Sequence, residues 1–70
     1  MKESARYVKI VEWSDEDQCQ IAHCLEFPSL AGHGNSIEHA LGEIRRAVQA
    51  SIDWLREDGE PVPEPMGKRR

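Results

Sequence analysis

Residues 6–13 read RYVKIVEW, with β-branched or aromatic side chains at most positions, and predict a strand. Alternate residues sort into two faces: Tyr7, Lys9, Val11 and Trp13 on one, Val8, Ile10 and Glu12 on the other. Neither face is cleanly polar, so both are expected to meet something. The polar cluster SDEDQ that follows fits a hairpin connection. Residues 18–24, QCQIAHC, alternate Cys19, Ile21 and His23 with Gln20, Ala22 and Cys24, which predicts a second strand antiparallel to the first. The stretch LEFPSLAGHGNS carries a proline and two glycines around a short apolar pair. It reads as a loop, a short third strand over 30–33 and the approach to a helix.

From Ile37 the period changes. Ile37, Ala40, Leu41, Ile44, Ala47, Val48, Ile52 and Leu55 recur at steps of three and four, predicting an amphipathic helix over 37–57. Ser36 is the expected N-cap, with Asn35 as the competing choice. Gly42 inside the helix costs about 1 kcal/mol relative to Ala, a cost that predicts close packing there. Asp58-Gly59 supplies the stop, Gly59 being suited to a left-handed residue. Pro61, Pro63 and Pro65 then hold an extended tail over 60–65, ahead of a frayed basic end over 66–70. The whole reads as one domain over 1–70. A single helical stripe covers one face of a three-stranded sheet, which leaves the other face or an edge strand to a partner.

Size sharpens that expectation. A chain of 70 residues buries only about 60% of its unfolded surface, so its core is marginal and self-association as a homodimer or higher homo-oligomer would relieve the shortage. No apolar run approaches the roughly 18 residues of a membrane span, and the first residues lack the apolar stretch of a signal peptide. Cys19 and Cys24 fall on opposite strand faces, which disfavours an intrachain bridge and points to reduced thiols in a soluble cytoplasmic protein. The net charge of -4 has the wrong sign for a domain that binds nucleic acid strongly by itself, and suits a basic protein partner better.

The candidate chemistry points away from catalysis. His23 and Cys24 are adjacent on opposite faces, and together with Cys19, His33 and His39 they match no zinc-ligand spacing, so no metal is expected. Asp15, Glu16 and Asp17 read as a solvated turn. No Ser-His or Cys-His nucleophile pattern is present in a chain hardly large enough to wall a pocket, and neither enzymatic activity nor a cofactor is expected. Trp13 and Trp54 fit either the edge of a core or an interface. The terminal GKRR fits a solvated tail or a phosphate-contacting arm.

Three blocks resemble the HicB family of antitoxins in its short form, without a C-terminal DNA-binding segment. CLEFPSLAGHG resembles the family's strand-end and turn segment through Glu26, Phe27, Pro28 and Gly34, with Leu25 and Ser29 where Pro and Gly are usual. GNSIEHAL followed by RRAV resembles its helix opening through Gly34, Ser36, Ala40 and Ala47, with His39 replacing the Glu of a capping box. EDGEPVPEP, with Gly59, Pro61 and Pro63, resembles its helix end and tail almost residue for residue. The resemblance implies an α+β fold of β-β-β-α-β order, similar to part of a ribonuclease H domain, in which the tail returns as a fourth extended segment. It also implies a protein-binding module that blocks a small basic ribonuclease toxin. The candidate partner-binding residues are Glu60, Val62 and Glu64 of the proline-stiffened tail, which loses little entropy on docking, with Trp13 and Trp54. The competing reading is an RNA- or nucleotide-binding domain that uses the open sheet face.

Overall fold

The computed structural model describes residues 3–66. A short 3-10 helix, Glu3–Arg6, precedes strands β1 (Lys9–Ser14), β2 (Cys19–Cys24) and β3 (Phe27–Gly34) and helix α1 (Ile37–Glu57). The strands form one antiparallel sheet in the order β1-β2-β3, followed by the single long helix, an α+β arrangement. Register places Val11 opposite Ala22 and Ala22 opposite Gly32, with Lys9 opposite Cys24. That face meets α1, and Ala22 and Cys24 are buried with Ala40, Ile44, Val48 and Ile52, one helical residue per turn. Tyr7 joins the same core with its ring centroid 5.6 Å from that of Phe27.

The helix follows its sequence signals closely. Ser36 is the N-cap, its hydroxyl accepting from the His39 N–H at 3.1 Å. Gly59 is left-handed at φ 71, the Glu60 N–H donates to the Leu55 carbonyl and the Gly59 N–H to that of Arg56, a Schellman ending. Ile37 departs from the expected stripe, being 54% exposed in the first turn.

The third strand is twice the expected element, spanning 27–34 instead of 30–33. Pro28 and the glycines suggested a loop, but β3 is an edge strand with an irregular register beside His23 and Cys24, where a missing N–H is tolerated. The glycines serve the helix. A Cβ on Gly32 would lie 2.6 Å from the Ile44 nitrogen, and one on Gly34 2.6 Å from the Ala40 nitrogen, so strand and helix backbones nearly touch. The close packing expected at Gly42 is absent, since a Cβ there would meet only the Arg46 guanidinium at 3.8 Å.

Both ends of the fold also depart from expectation. Residues 6–8 lie outside the ladder that was expected to start at Arg6. The Lys9 ammonium bonds the carbonyls of Ser4 and Tyr7, and the Val8 N–H turns to the Glu26 carboxylate. The tail adds no fourth strand to the sheet. Pro61, Pro63 and Pro65 remove every donor along one side of an extended segment, so that side cannot continue a ladder. The tail is fastened instead by Tyr7 Oη donating to the Pro63 carbonyl at 2.6 Å, by the Met66 N–H donating to Glu26 Oε2 at 2.7 Å, and by Val62 against the core. Of the frayed end expected over 66–70, Met66 is instead bonded to Glu26, and residues 67–70 lie outside the described residues.

Candidate protein-binding surfaces

The β1–β2 hairpin ends in a tightly bonded loop. The Gln18 N–H donates to the Ser14 carbonyl at 2.8 Å, the Asp17 N–H to the Ser14 hydroxyl at 3.1 Å, and Gln18 closes the loop with a left-handed φ of 55. Trp13, at the end of β1, is 51% exposed and donates from Nε1 to Asp15 Oδ1 at 2.9 Å. Glu16 and Asp17 follow in the same loop, both exposed. The result is an indole plate pinned by one carboxylate and accompanied by two more. Such a surface can stack an Arg or Lys side chain while the acids take its charge.

The sheet face away from α1 is uncovered among the described residues. Glu12, Ile21 and His33 form one row across it, and Ile10, His23 and Ala31 the next. Ile10 and Leu25 are 46% and 44% exposed. His23 Nε2 lies 3.9 Å from Glu12 Oε2, both side chains open to solvent. Cys19 is on this side and Cys24 is buried on the other, so the two thiols are free and separated by the sheet, as their spacing implied. Among the described residues no three His, Cys, Asp or Glu side chains gather as ligands for a metal ion.

The remaining candidates do not join one site. Trp54 is 63% exposed on the outer side of α1. Trp13 shares a row with Gly34, which abuts Ala40, and Trp54 lies about 21 Å further along the helix axis at ~1.5 Å per residue. In the tail, Glu60 and Glu64 are exposed whereas Val62 is half-buried against the core. A cleft of about 440 Å³ lies between the 3-10 helix and α1, lined by Ser4, Arg45, Arg46, Gln49 and Asp53 among others. Among the described residues no His, Cys or Lys lines it to act as a base for Ser4.

The sequence singles out Glu26 only as part of the turn block, and its role as a buried brace went unread. Glu26 is only 8% exposed, yet its carboxylate accepts from the N–H groups of Val8 and Met66 and from the Cys24 thiol at 3.3 Å. Burial pushes the Glu26 carboxyl up, but the N–H groups of Met66 and Val8 outweigh it and hold the group below its ordinary value. Burial and the bond to that carboxylate push the Cys24 thiol up. Burial pulls the Lys9 ammonium down, against the attraction of Cys24 and Glu26 and with the help of Arg45. These linked groups brace three chain segments. A lone Glu between a strand and a proline carries no sequence signal for such a role.

No protein-family model, curated protein or solved structure matches this chain. The fold therefore defines the class, an α+β domain, and the ribonuclease H likeness implied by the HicB resemblance stays an expectation.

Proposed function

We propose that this chain is a protein-binding module, a HicB-like antitoxin or an orphan relative, that inhibits a small basic ribonuclease toxin in the cytoplasm and performs no catalysis of its own. The observation that carries the reading is the hairpin tip, where half-exposed Trp13 is held by Asp15 beside Glu16 and Asp17. An aromatic plate with a carboxylate rim fits the cationic surface of a protein that grips RNA. Exposed Glu60 and Glu64 extend the acidic surface, and Val62 serves by holding the tail in place. In the same reading the chain works as a homodimer or higher homo-oligomer, since one helix leaves half the sheet bare. The RNA-binding alternative is weaker because the open face presents the Glu12 carboxylate and, for a base to stack on, only the small rings of His23 and His33 with no Phe, Tyr or Trp beside them.

The test is inhibition of a small basic ribonuclease encoded beside this chain. The wild type is expected to form a complex whose association slows steeply with salt, and Trp13→Ala or Asp15→Lys to weaken it by roughly tenfold or more. Unchanged inhibition by both variants would remove the hairpin from the interface. Tight RNA binding at physiological salt with no toxin present would hand the function to the alternative.

A further inference from the structure

We infer that the open sheet face is the surface on which a second copy of this chain packs, face to face, about a two-fold axis running along β2. The inference rests on the self-association part of the reading above and is independent of the toxin. Its basis is the order of residues in the two rows. A two-fold axis parallel to β2 lays β1 of one copy over β3 of the other while keeping each row in line with itself. Glu12 then faces the partner's His33, and His33 faces the partner's Glu12. In the neighbouring row Ile10, 46% exposed, faces the partner's Ala31, a large side chain over a small one. The β2 column, Cys19, Ile21 and His23, lies on the axis and each residue meets its own counterpart. An axis perpendicular to the strands would instead set Glu12 over the partner's Ile10, pressing each carboxylate on an apolar side chain with only the His23 of its own chain, at 3.9 Å, beside it. Charge and size therefore select the first arrangement, and it corresponds to the aligned packing by which two twisted sheets share a core. The face is small, on the order of 15 by 20 Å from strand spacing and rise, so the pair is expected to be reversible at micromolar concentration instead of obligate.

The arrangement predicts a reporter already in the chain. Cys19 sits on the axis, partly exposed, while Cys24 is buried beneath the helix. A short bis-maleimide is expected to trap a dimer through Cys19, and Cys19→Ser to abolish the trapping without altering sedimentation. Ile21→Lys sets two like charges on the axis and is expected to weaken the dimer by roughly tenfold or more, with circular dichroism confirming the fold. His33→Glu alone sets two carboxylates against each other and Glu12→Lys alone removes the acceptor that faces the imidazole, so each is expected to weaken the dimer, whereas the double variant E12K/H33E sets opposite charges across the axis and is expected to recover it. A wild-type chain that sediments as a monomer at high micromolar concentration would overturn both self-association and this surface. A wild-type dimer that is untouched by Ile21→Lys, or that is not trapped through Cys19, would overturn the surface alone.

Discussion

Glu26 illustrates how much a single side chain carries in a domain this small. Its carboxylate bonds the N–H groups of Val8 and Met66, and those bonds depend on its charge. Because its folded-state value is depressed below the unfolded one, the stabilisation is complete above the unfolded carboxylate range and is lost as pH falls through the depressed value. Urea midpoints measured across the acidic range are therefore expected to fall more steeply for the wild type than for Glu26→Gln. At neutral pH the variant should be less stable by about 1.5–3 kcal/mol, the usual worth of a charge-assisted bond. The glycines give a second pair of expectations. Gly42→Ala should stabilise the protein by up to about 1 kcal/mol, since the new methyl meets only the flexible end of Arg46. Gly34→Ala should destabilise it by about 1–3 kcal/mol, because the methyl would press on the helix backbone. Chemical denaturation of both variants checks the contrast. Sequence periodicity identified Gly42 as the costly glycine and passed over Gly32 and Gly34, because the cost of a helical glycine is local whereas the need for a strand glycine comes from what packs against it.

Among the elements, α1 was legible to the residue because its signals are all local: a stripe of spacing three and four, Ser36 before it and Gly59 after it. Ser36→Ala should cost about 1 kcal/mol, measurable as a lower urea midpoint, since the His39 N–H loses its acceptor and no Glu completes a capping box. β3 was half legible. Its start at Phe27 is set by pairing with Cys24 across an irregularity, and pairing between strands leaves no mark in the periodicity of either one. The tail was legible as extended but not as anchored. Its fastening runs through Tyr7 and Glu26, more than 30 residues away in sequence. Truncation after Gly59 is accordingly expected to lower thermal stability as well as any partner affinity, since it strips the acceptor from Tyr7, the Met66 donor from Glu26 and Val62 from the core. A truncated chain that melts with the wild type would show that the tail's contacts carry no weight in the fold.

At the scale of the whole molecule, the α+β layering followed from the count of strands and helical stripes, and the candidate interface was legible only in part. Trp13 stood out by residue type, but its pinning by Asp15 depends on the loop conformation that Gln18 closes in a left-handed geometry no propensity favours. The rows of the open face depend in turn on register, which two strands settle jointly. The anchoring of the tail reaches further than stability. Glu3 and Pro65 line one small cleft together with Tyr7, Arg56 and Pro63, and Glu3 is paired with Arg56 at the end of α1. The first and last described segments thus lie side by side, while the hairpin loop at Glu16 is exposed and remote from them along the strands. A circular permutant that joins Met66 to Glu3 through a short Gly-Ser bridge and opens between Glu16 and Asp17 is expected to fold to the same circular dichroism spectrum. In that chain β1 would be synthesised last and would add itself to a finished β2-β3-α1 layer, so the order in which strands are written is separable from the order in which they lie.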